Sequence, residues 1–141
     1  MGTHSRIGIL NANGTVLAVY CHYDGGLSLN GKILLEHYHS EEKIRDLFKQ
    51  GNLIYLRQNI GGKHNHIRTC NPEWCCFYIR DEEEDREENL FQLYSCVHDL
   101  LIERTEFTYI FNPITRQWFW TTTWNEGFEP LKRLTMKDCL T

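Results

Sequence analysis

The sequence predicts an α+β fold: an antiparallel sheet built from two hairpins, with two to three helices packed on one face. Three observations carry this. Asn13-Gly14 sits between two apolar, alternating runs, and both residues tolerate the positive φ of a tight hairpin turn. "SEEKIRDLFKQGN" places Ile44, Leu47 and Phe48 at helical spacing behind a capping serine. "FTYIFNPITRQWFWTT" repeats the hairpin signature near the other end, rich in aromatic and β-branched residues. Hairpins separated by helices imply a sheet covered by a helical layer.

Taken in order, Ile7 and Ile9 alternate with their neighbours in the first strand, and Val16 to Tyr23 returns as the second. Asp24-Gly25-Gly26 ends that strand. Gly31 to His39 reads as a short helix. Ser40 caps the next, Glu41 and Glu42 complement its N-terminal dipole, and Gly51 terminates it. Residues 52–73 read as irregular. Trp74 to Ile79 reads as a buried strand, residues 81–88 as an acidic loop, and "NLFQLYS" as an extended segment. Ser95 is placed to cap a third helix with Val97, Leu100 and Leu101 as its apolar stripe. Phe107–Phe111 and Trp118–Thr122 form the second hairpin, and residues 125–141 are a weakly patterned tail. With 141 residues, no repeat and no linker, the chain reads as one domain, 1–141.

Composition narrows the function classes. No run approaches the length of a membrane span, and "MGTHSRIGIL" lacks the layout of a secretory signal, so a cytoplasmic protein with free thiols is expected. The net charge is −4, but "DEEEDREE" alone holds seven acids and one arginine. With no basic stripe elsewhere, direct nucleic-acid binding is not expected. Nucleophile-elbow, phosphate-loop and zinc-protease motifs are absent, so an enzyme is not expected either.

Four groups of residues carry candidate chemistry. "VYCHYDGG" puts His22 and Asp24 on one side of a strand end, roughly 7 Å apart by strand geometry. They could line a ligand pocket together with Glu36 and His37. In a hydrolytic alternative, His22 acts as base with Asp24 orienting it. "KHNHIRTCNPEWCC" offers His64, His66, Cys70 and Cys75, with Cys76 beside them, as ligands for a structural zinc; otherwise no cofactor is expected. Glu82, Glu83 and Glu84 could attract a basic partner surface. Trp118, Trp120 and Trp124 could form an aromatic contact face for a partner protein or a second copy of the chain. The bland alternatives are a turn cap at Asp24, core thiols at the cysteines, a solvated acidic loop and a helix-covered aromatic face.

"RIGILNANGTVLAVYCHYDG" (6–25), "GKILLEHY" (31–38) and "GNLIYL" (51–56) together resemble a family of small proteins from bacteriophages and some bacteria. Its members look like "IGI-NxDGT-xAIYCHWDGY…GxILLEHY". "CCFYIRDEEEDREEN" (75–89) and "EFTYIFNPITRQWFW" (106–120) are similar to the later family segments "YxRDRGEE" and "EYAYLF…WYV". Tyr23 stands where the family has Trp, and acids replace the arginine-glycine of the third pattern. The resemblance brings no activity with it. It implies a phage-encoded accessory protein in the host cytoplasm, acting by binding: a host-takeover or anti-defence inhibitor of a host protein, or a capturer of a small ligand.

Overall fold

Alternation, turn chemistry and two long crossovers shape the sheet. The computed structural model describes residues 3–64, 71–122 and 131–140. β1 (Ser5–Leu10) and β2 (Val16–Cys21) form the first hairpin, with Ile7 opposite Val19 and Arg6 opposite Tyr20. Its turn is held by Asn13, whose side chain accepts from the Thr15 amide. After β2 come a π-helical turn over Leu27–Gly31, then α1 (Lys32–His37) and α2 (Glu41–Lys49). Ser40 Oγ accepts from the Lys43 amide at 3.1 Å, and Gly51 stops the helix at φ +87°, as the sequence predicts.

The chain then re-enters the sheet at β3 (Leu53–Tyr55), parallel to β2, followed by β4 (Cys76–Phe77). β5 (Gln92–Tyr94) pairs with the opening half of β2, and α3 (Val97–Leu101) follows. The second hairpin is β6 (Phe107–Asn112) and β7 (Gln117–Thr122); β8 (Lys132–Arg133) and α4 (Met136–Cys139) close the described chain.

The sheet order is β4-β3-β2-β1-β6-β7-β8, with β5 also on β2. It is mixed, which corrects the all-antiparallel expectation. The two hairpins meet through β1 and β6, and those strands run parallel. Parallel neighbours need a long crossover. Residues 11–106 supply one for β1 and β6, and α1 with α2 supply another for β2 and β3.

The main core lies between the sheet and α1, α2 and α4. Ile7, Ile9, Val19, Cys21, Tyr109 and Phe111 meet Leu34, Tyr38, Ile44, Leu47, Phe48 and Cys139 there. α3 packs on the opposite face, where Leu100 joins Val16, Ala18 and Ile110 in a smaller cluster. The helices therefore cover both faces unequally. Ser95 does not cap α3; Cys96 holds the N-cap position without a side-chain bond. The strand expected over Trp74–Ile79 shrinks to two residues, because the amides of Asp81 and Glu82 turn back onto the Phe77 carbonyl. In the described part of the tail, 131–140, Thr135 and Asp138 form a reciprocal capping box that the weak apolar pattern does not suggest. Cys21, Cys75, Cys76, Cys96 and Cys139 are free thiols. Among the described residues, no helix is long and apolar enough to cross a membrane.

Candidate functional site

The quartet proposed from sequence is dispersed. His22 stacks on His4 with centroids 4.7 Å apart, and its Nδ1 meets the Tyr20 hydroxyl at 3.1 Å. Asp24 takes φ +63° at the strand end and turns to Arg57, 3.7 Å from its guanidinium. Glu36 and His37 are exposed on α1. Glu36 lies 4.0 Å from Lys32, and the His37 carbonyl accepts from Lys43 Nζ at 2.7 Å. No described contact joins the four, and Asp24 makes none to His22.

What the structure gathers instead is the set of residues between the core positions. Arg6 and Tyr20 are cross-strand partners on the face away from α1 and α2, with the Arg6 guanidinium carbon 5.4 Å from the Tyr20 ring centre. Arg6 Nη1 donates to the Thr105 hydroxyl. Pairing of β5 with β2 sets Gln92 opposite Ala18 and Tyr94 opposite Val16, which brings both side chains to that same face. Tyr94 donates to Gln92 Oε1 at 2.7 Å. Asn52 fixes the floor: its Oδ1 accepts from the Tyr20 amide at 2.9 Å, and its Nδ2 donates to the Glu88 carbonyl at 2.9 Å. These residues, with Glu88 and Val19, line a cleft of about 210 Å³.

Burial pushes the Tyr20 and Tyr94 phenols above their ordinary range, so both stay protonated well beyond neutral pH. Burial, helped by the adjacent His4, holds His22 below the usual imidazole value and favours its neutral form. The cleft thus offers a guanidinium, two phenols, two amides and one carboxylate, arranged for hydrogen bonding and ring stacking.

A larger hollow of about 440 Å³ lies between the two hairpin turns and the start of α2. Its polar groups, like several of the cleft's, are already engaged, and it lacks the cleft's aromatic rings. Arg45 binds Glu41 and Asn11, and Asn112 Oδ1 accepts from the Ile114 and Thr115 amides.

The metal candidates regroup as well. His66 and Cys70 lie outside the described residues. Cys75 turns into the core, where its Sγ accepts from the Arg57 amide at 3.2 Å and contacts the Tyr38 hydroxyl at 3.4 Å. Its neighbour Cys76 points the other way, and its Sγ, with donor atoms of His64 and Asp81, forms a buried set lying within 4.8 Å of one another. The donor types suit zinc, but their bonding suits a structural knot. Asp81 accepts from the His64 and Phe77 amides and from Arg80 Nε at 3.0 Å. His64 Nε2 donates to the Cys75 carbonyl at 2.9 Å while Nδ1 accepts from the Asn71 amide. The Cys76 thiol is pushed up to about 12, first by burial and then by Asp81 and Glu82. A metal would have to displace these bonds beside the Arg80 cation.

Of the partner candidates, Trp118 is a core residue: it is 2% exposed and its indole donates to the Tyr38 carbonyl at 2.9 Å. Its ring is therefore closed to a partner, because it faces α1 rather than solvent. Trp120 is half-buried against Phe107, and Trp124 lies outside the described residues. Glu83 pairs with Lys63 at 2.8 Å; Glu84 is exposed and Glu82 half-buried. Sequence reasoning missed Arg6, Tyr20, Asn52, Gln92 and Tyr94. The available signal was the polar residue at alternate positions of an otherwise apolar strand. No family model, curated protein or solved structure matches this chain.

Proposed function

We propose that this chain acts by binding, and that it captures a small planar polar ligand in the cleft bounded by Arg6, Tyr20, Asn52, Gln92 and Tyr94. The observation that carries the reading is the convergence of one guanidinium, two phenols and two amides on a single concavity of the less covered sheet face. Ligand sites combine such a concavity with a few placed polar groups. The size suits one heterocyclic ring with a short polar substituent. Arg6 supplies a fork for a carboxylate, carbonyl or ring-edge acceptor, and the tyrosines supply ring faces and phenol oxygens that can accept. The setting of a phage-encoded accessory protein, working in the host cytoplasm against a host factor or signal, is supported by the sequence resemblance.

The hydrolytic alternative requires Asp24 to orient His22. Asp24 engages Arg57 instead, and His22 engages Tyr20. Native mass spectrometry of the protein recovered from bacterial cytoplasm tests the binding reading. A non-covalent small-molecule mass on the wild type, absent from Arg6→Ala, is expected. A ligand retained equally by Arg6→Ala contradicts the assignment to this cleft.

A further inference from the structure

The ends and edges of the sheet are finished in different ways. At one end β4 is two buried residues long. At the other, β8 is two residues long and consists of Lys132 and Arg133, both exposed. Buried, very short or charged edges of this kind resist further strand pairing. β5 is also short, at three residues, but it is neither buried nor charged. It forms a third edge, and the segment around it exposes Leu90, Phe91 and Leu93, the last at 64%. Phe91 and Leu93 share one face by alternation, while Gln92 and Tyr94 turn to the cleft. Among the described residues, the main chain of Phe91–Tyr94 bonds to no element other than β2. A strand with one paired side leaves alternate N–H and C=O groups on the other.

Residues 81–88 run directly into this edge, with seven acids and one arginine. Glu83, Glu84, Asp85, Glu87 and Glu88 are exposed. Lys63 meets Glu83 and Arg86 meets Glu88, and no described ion pair reaches Glu84, Asp85 or Glu87. An apolar edge continued by an acidic surface is complementary to an extended segment that is apolar at alternate positions and then basic. A second copy of the chain fits less well, because it brings the same acidic run to the interface.

We propose that β5 is a docking strand for an extended segment of a partner protein, added antiparallel, with alternating apolar residues followed by lysines or arginines. The antiparallel direction sets the order. A partner strand that pairs Leu93 first and Phe91 second runs onward past Leu90 toward Glu88 and Glu87. Main-chain bonds give the affinity, the apolar pair fixes register, and the acidic run selects charge and direction.

The test is titration of the full chain, by fluorescence anisotropy, with labelled peptides in which alternating valines and threonines precede a run of lysines. Controls carry the reversed order or glutamates in place of the lysines. Expected is binding of the apolar-then-basic peptide that weakens as salt rises. Leu93→Lys should weaken it by about tenfold or more, the scale of one lost apolar anchor. Glu84→Lys with Glu87→Lys should erase the preference for lysine. All three positions are exposed, so circular dichroism should show these variants folded. Equal affinity for the reversed peptide overturns the stated direction. Undiminished binding by Leu93→Lys, or no binding by wild type up to millimolar peptide, overturns the docking strand. A wild-type dimer that Leu93→Lys dissociates overturns it in favour of self-association. An Arg6→Ala variant that binds the peptide normally separates this edge from the ligand cleft.

Discussion

On the face covered by α1, α2 and α4, strands β1, β2 and β6 place Ile7, Ile9, Val19, Cys21, Tyr109 and Phe111 in one apolar core. On the opposite face, the intervening residues of the same strands are Arg6, Gly8, Ala18, Tyr20, Thr108 and Ile110. The first face is sealed by three helices. The second is sealed only where α3 brings Leu100 onto Val16, Ala18 and Ile110, and beyond that patch it holds the polar cleft. The difference suits a division of labour: the apolar core that stabilises the fold lies on the covered face, and the proposed recognition cleft on the other. Substitutions on the two faces should separate these properties.

The largest effect is expected at Trp118. Trp118→Ala removes a buried indole and the bond that ties β7 to the end of α1, at a cost of about 3–5 kcal/mol; denaturant unfolding measures it. Asp81→Ala comes next. It leaves the His64 and Phe77 amides and the Arg80 guanidinium short of an acceptor, at about 3 kcal/mol. Because hydrogen bonds already satisfy that knot, dialysis against a chelator should leave the melting temperature unchanged, and a sharp drop would establish a structural metal. Ser40→Ala removes one helix cap and should cost about 1 kcal/mol, read in the same unfolding assay.

On the other face, Arg6→Ala should change stability by less than about 1 kcal/mol while abolishing ligand retention. A large destabilisation there would dissolve the contrast between the faces. The smallest effect is expected from pH. His22 is held below its unfolded pKa, so the fold disfavours its protonation. That contribution is present above the unfolded value near 6.5 and fades as pH falls through the lower folded value. His4, Tyr20 and Tyr23 are the groups in contact with its ring. The acid limb of a stability–pH curve should therefore be shallower in His22→Gln than in wild type.

Local features of this fold were readable because their causes are local. Asn13-Gly14 specifies its hairpin through backbone φ, and Ser40 with Gly51 brackets α2 through capping. The capping box at Thr135 and Asp138 was equally readable from spacing, although the segment around it is weakly patterned. Pairing of β1 with β6 was not readable, since it joins residues about a hundred positions apart and no local pattern records it. The shortness of β4 depends on Asp81 reaching back to the Phe77 amide. Alternation shows that Cys75 and Cys76 face opposite sides, but not which of them faces His64. The cleft was hidden for a related reason: Arg6, Asn52 and Gln92 lie far apart in sequence, and only sheet order brings them together.

The less covered face is the proposed ligand site. Two-dimensional amide NMR spectra of the labelled protein, recorded with and without a small-molecule extract of bacterial cytoplasm, test it most directly. Shifts confined to Arg6, Ala18, Tyr20, Asn52, Gln92 and Tyr94 are expected, with their loss in Arg6→Ala. Shifts centred instead on the hollow around Leu10, Arg45 and Ile114, or persisting in Arg6→Ala, would contradict it.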